Sequence, residues 1–144
     1  MVLDNELKLS DAQAFAATGV STNTVDLGLA NNRVGNGEPI GIAVNVEVAA
    51  DATTGDETYE FQALSDDSAA LGSTTLLASI TIARATLIVG YRFFIPIPPG
   101  VAERYIGLRL VLGGTTPSIT ISAYVCPRSM FNKAELFADG FTIS

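Results

Sequence analysis

The chain contains no histidine and no tryptophan, and its single cysteine is Cys126. Without His, a Ser-His-Asp or Cys-His catalytic arrangement is impossible, and a Ser-Lys variant would have to draw on Lys8 or Lys133, near the two ends. The usual zinc and copper sites are excluded with it. A lone Cys126 forms no intrachain disulfide, and its place before Pro127 suits a small buried hydrophobe better than a reactive thiol. The absence of Trp removes a ring on which sugars would stack. Positive charge is scarce: 8 Lys and Arg against 15 Asp and Glu give a net charge of −7. A protein that neutralises phosphates needs a basic face, so nucleic acid is not an expected partner. No stretch reaches the roughly 20 apolar residues of a membrane helix, because Gly90, Arg92 and the prolines interrupt the best candidate. Asp4 and Glu6 stand where a secretory signal would carry bases, so the expectation is a soluble, unexported chain with no membrane partner.

What is present is material for packed strands. The 144 residues suffice for one domain with a real core, and 48% of them are hydrophobic. That fraction is high for a freely soluble monomer and places part of the apolar surplus at interfaces. The alternation of Ile40, Ile42, Val44, Val46 and Val48 with Gly41, Ala43, Asn45, Glu47 and Ala49 predicts a half-buried strand. Tyr59, Phe61 and Ala63 alternate in a second. Thr74 to Ile82, Thr86 to Ile97, Arg104 to Leu112 and Ser118 to Val125 read as further strands, and Gln13 to Leu27 as strand, turn and strand. About eight short strands without a long helix predict an all-β fold, a sandwich or small barrel. Pro96 inside an apolar run marks an edge strand or bulge, and Pro98-Pro99-Gly100 a corner. Gly113-Gly114-Thr115-Thr116-Pro117 reads as a hairpin connection, and Gly35-Asn36-Gly37 as a turn with no helix behind it to hold phosphate.

The organisation expected is an N-terminal arm over 1–13, a sandwich over 14–126 and a C-terminal arm over 127–144. Charge is uneven. Every charged residue from Glu38 to Asp67 is acidic, while Arg84 to Arg109 carries four arginines and only Glu103 in opposition. Such charges ordinarily pair on solvated faces within the fold; the functional alternative is docking on partner subunits. The carboxylates at Asp51 to Glu57 and Asp66-Asp67 lack the calcium-loop spacing, and nothing marks one of them as a general acid. Neither an enzyme nor a cofactor is expected.

The opening Met1 to Gln13, Ser21-Thr22-Asn23-Thr24-Val25-Asp26-Leu27-Gly28, Gly35-Asn36-Gly37-Glu38-Pro39, Pro96-Ile97-Pro98-Pro99-Gly100-Val101 and Tyr105-Ile106-Gly107-Leu108-Arg109 together resemble the capsid cement, or decoration, proteins of tailed phages. The resemblance implies a jelly-roll β-sandwich assembled as a homodimer or homotrimer. It further implies a place on the outer surface of the virion, assembled in the host cytoplasm, where the protein binds major capsid protein and ties capsomers together. The contacts expected on that reading are Leu3, Leu7 and Leu9 in the first arm and Phe131, Leu136, Phe137 and Phe141 in the last, with Arg84, Arg92 and Arg104 as polar partners. Equally, both arms could simply cover their own domain. A carbohydrate- or receptor-binding sandwich is the alternative, and it would need an aromatic-lined groove.

Overall fold

Period-two runs of branched and aromatic residues become strands because each buries one face and leaves the other to its sheet's exterior. The computed structural model describes residues 7–28 and 37–131. Nine strands follow in order: β1 (Lys8–Phe15), β2 (Gly19–Val20), β3 (Val25–Asp26), β4 (Ile40–Val48), β5 (Thr58–Asp66), β6 (Thr75–Ile82), β7 (Arg92–Ile97), β8 (Tyr105–Gly113) and β9 (Ile119–Pro127). One sheet runs β1-β9-β4-β7, and the second runs β2-β8-β5-β6 with β3 also on β8. All pairings are antiparallel. The nested pairs β1–β9, β2/β3–β8, β4–β7 and β5–β6 are those of one long hairpin rolled over itself, which makes the fold a jelly roll.

The expected count of about eight becomes nine because one strand is interrupted. Ser21 Oγ donates to the Asn23 carbonyl at 2.8 Å and accepts from the Leu108 N–H at 3.2 Å. That local bond splits β2 from β3, although both pair with β8.

The core lies between the sheets and follows the expected faces: Ile42, Val44 and Val46 from β4, Tyr59, Phe61 and Ala63 from β5, Ile106, Leu108 and Leu110 from β8, and Ile119, Ile121, Ala123 and Val125 from β9. Phe61 and Phe93 meet edge to face across the two sheets, ring centroids 4.8 Å apart. The first part of β4 is buried on both faces, since Ala43 on its outer side lies under Tyr124, Cys126, Phe131 and Phe94, while Glu47 beyond it is exposed as expected of a half-buried strand. At Gly41 a Cβ would overlap the Ile95 carbonyl oxygen and the Phe94 ring, so only hydrogen fits. Pro96 sits on β7, an edge strand, where its missing donor costs no ladder bond.

Four expectations change. The arm over 1–13 is too long, because Lys8 onwards is β1 and pairs with β9 from Lys8↔Tyr124 to Phe15↔Ile119. At the other end β9 extends through Pro127 and a helical turn begins at 128, so the sandwich runs one residue past 126. The run Thr86 to Ile97 is a strand only from Arg92. Before it come a 3-10 turn at Arg84–Thr86 and a β-turn in which the Tyr91 N–H reaches the Ile88 carbonyl at 3.0 Å. Gly90 holds the third position of that turn with φ 87°, which an L side chain rarely adopts. Finally, the Gly113 to Pro117 segment is no hairpin: β8 belongs to the second sheet and β9 to the first, so it carries the chain from sheet to sheet.

Candidate functional site

Among the described residues, those expected to form contacts do not gather in one place, and only Arg92 and Phe131 meet. Leu9 is fully buried in the core, because strand alternation turns it inward once β1 pairs with β9. It is therefore no surface contact. Leu7 is partly buried against the same core. Leu3, Leu136, Phe137 and Phe141 lie outside the described residues. Each arginine is engaged within the chain at a separate place. Arg104 grips Asp26 with two bonds, 2.7 and 2.8 Å, and stands over the Tyr105 ring. Arg84 lies 3.9 Å from the Glu57 carboxylate. Arg92 and Phe131, both anticipated, do meet: the guanidinium is 5.8 Å from the ring centroid. Arg128 stacks likewise on Phe94, which packs at 5.3 Å on Phe131. This alternation of cation and ring fastens the turn at 128–131 to the outer face of the first sheet.

Among the described residues, an apolar feature lies at each end of the roll. At the end where β4 begins, a groove of about 240 Å³ is lined by Leu7, Val25, Leu27, Ile40, Val125, Cys126 and Pro127. Its walls are aliphatic, apart from the sulfur and the proline ring. Burial pushes the Cys126 thiol up to about 11, which keeps it protonated and inert near neutrality.

At the opposite end the sequence reading missed a feature. The Ala50 N–H bonds the Leu87 carbonyl, Val46 bonds Tyr91, and Gly90 bonds Val46, each at 2.9 Å. These ties lay the turn beside the end of β4 and bring Val48 opposite Ile88 and Val89. The three are 57%, 61% and 65% exposed, and they are three of the five exposed large hydrophobics among the described residues. Val48 stands out of the core because the ladder between β4 and β9 shifts register between Val46 and Val48. The turn at Gly90 does the same for Ile88 and Val89. The available signal was Gly90 within an apolar run.

The carboxylates hold loops in shape. Asp66 accepts the Ser73 and Ser68 N–H groups, and Asp56 the N–H and hydroxyl of Thr115. Asp51 accepts from the hydroxyl and N–H of Thr53. Glu57 is buried; burial opposes its ionisation, but the N–H groups of Thr54 and Gly55 outweigh that and keep it charged. Tyr59 completes this end, its buried hydroxyl lying 2.8 Å from the Asp51 carbonyl while accepting the Ser118 N–H at 3.2 Å.

All five acids of these sites sit below their ordinary values. Asp26, held by the Arg104 guanidinium and then the Gly28 N–H, falls to about 2. Asp51, Asp56 and Asp66 are lowered by the hydroxyl and N–H donors just named, and Glu57 by its backbone donors. A depressed acid stabilises the fold fully above its unfolded value, here 3.8 for Asp and 4.5 for Glu, and that contribution is lost as pH falls. Denaturant titrations are expected to show stability level near neutrality and declining below about pH 4.5, with the Asp26 share persisting toward pH 2. Unchanged stability from pH 5 to 2.5 would contradict these caps.

The described residues form a rolled β-sandwich with an exposed apolar tip at one end and a groove at the other. The chain belongs to the Bbp16 family, whose model matches residues 9–125. The match runs from the second residue of β1 to within two residues of the end of β9, so the shared unit is the jelly roll itself. No curated protein matches the chain.

Proposed function

We propose that the protein is a structural virion component that binds the outside of a phage head and cements neighbouring major capsid protein subunits. Membership of the Bbp16 family, which is phage-related, supports the setting. The observation that carries the mechanism is the tip of Val48, Ile88 and Val89, an apolar patch tied to the end of a rigid sheet by three backbone bonds. A patch fixed in this way meets a partner without ordering cost, and repetition over many subunits multiplies a modest affinity per copy. Work of this kind is binding, with no turnover.

The test mixes purified protein with shells that lack it and follows co-sedimentation and survival under heat or osmotic shock. Saturable, stoichiometric binding with increased resistance is expected. Shells that sediment without it, and break as readily in its presence, would sink the reading.

A further inference from the structure

The tip of Val48, Ile88 and Val89 has a border, and the border has a sign. Glu47 directly precedes Val48 and is exposed, its carboxylate accepting the Asn45 amide at 2.9 Å. Asp51 directly follows Ala50, whose N–H ties the end of β4 to the Leu87 carbonyl. The described segments that converge at this end, 47–57, 83–91 and 113–119, carry four acids, Glu47, Asp51, Asp56 and Glu57, against one cation, Arg84. Arg84 lies against buried Glu57. Arg92, at the start of β7, stands over the Phe131 ring. The N–H and hydroxyl of Thr53 hold Asp51, and those of Thr115 hold Asp56, so two of the rim charges are fixed in place.

An apolar centre with a polar border is the anatomy of a protein–protein contact. We propose, given a shell subunit as partner, that the tip seats in an apolar hollow whose border carries lysine or arginine side chains. Seating Val48, Ile88 and Val89 brings the acidic rim against the opposing surface. There the carboxylates lose water, which a bare apolar surface does not replace and a basic border does. The same rim disfavours a second copy of this tip as occupant, because two tips face to face would set acid against acid in a chain of net charge −7. Division of labour follows. The charges steer the approach and set the orientation, while the aliphatic centre slows release.

Salt separates the two contributions, since screening weakens ion pairs and does not weaken an apolar contact. The full chain is titrated onto shells that lack it at about 0.1 M and about 1 M sodium chloride, over which the screening length falls from about 10 to about 3 Å. Wild type is expected to bind about tenfold more weakly at the higher salt. At the lower salt Glu47→Lys should bind about tenfold more weakly than wild type, with melting unchanged. Asp67→Lys alters an exposed acid at the opposite end of β5 and leaves the same net charge; it should bind as wild type does. Affinity that is level or rises with salt overturns the proposal and leaves the shell as partner, and so do equal affinities of the two variants. If wild type binds no shell, the shell falls as partner, and a support bearing hexylamine, an aliphatic chain ending in a cation, decides the chemistry of the tip. Glu47→Lys released earlier than wild type and Asp67→Lys supports it; equal retention of the two variants overturns it. Should Glu47→Lys not fold, Glu47→Gln and Asp67→Asn, which only remove charge, replace the pair.

Discussion

Replacing Phe61 with alanine is expected to cost about 3–5 kcal/mol, the range for truncating a buried aromatic ring. Phe61 is fully buried at the middle of β5, in the second sheet, and its ring abuts Phe93 of β7, in the first. Removing it opens a cavity and also deletes a contact that holds the two sheets together. Backbone pairing on both sides of β5, to β6 and β8, limits how far the strand can shift to close the gap. Domains of this size carry roughly 5–15 kcal/mol in total, so the variant should melt of the order of 10 °C lower or more. The cycle Phe61→Ala, Phe93→Ala and the double variant should show a coupling near 0.5–1.5 kcal/mol, the edge-to-face share beyond simple burial. A loss under about 1 kcal/mol would mean that the core collapses around the vacancy.

The second large effect falls on binding and spares the fold. Ile88→Ser together with Val89→Ser should weaken shell binding at least about a hundredfold, because each buried aliphatic side chain is worth roughly 1.5–3 kcal/mol and each 1.4 kcal/mol is a factor of ten. Both side chains are more than half exposed in the free protein, so melting should move by no more than the ordinary surface range of about 0.5 kcal/mol. Val89 occupies the outermost position of its turn, and Gly90 fixes the turn independently of what Val89 carries. Equal co-sedimentation of variant and wild type would show that the shell, if bound, is met elsewhere.

Much of the roll was legible because alternation is a local signal. Ile42, Val44 and Val46, like Ile106, Leu108 and Leu110, announce a buried face whatever strand lies beside them. Partner choice is not local. Nothing between Gly113 and Pro117 states that β9 joins β1 and β4 rather than returning along β8, and nothing near Leu9 announces a pairing with Tyr124 and Ala123. The tip was hidden for a related reason. Val48 keeps the phase of Val46 in the sequence but loses its core position through a register shift, and Ile88 and Val89 look like strand until Gly90 turns them out. Burial of Glu57 was equally silent, since its donors are backbone N–H groups of Thr54 and Gly55, which every sequence possesses.

The pairing of Lys8 with Tyr124, and of Ile40 with Pro127, places entry to and exit from the shared body side by side at the groove end. From there to Val48 is the nine-residue length of β4, about 25–30 Å at the usual rise per residue. The body thus carries its exposed apolar tip at one end and Lys8 and Pro127 at the other. A peptide or reporter fused directly before Lys8 would be carried at the groove end, a strand's length from the tip.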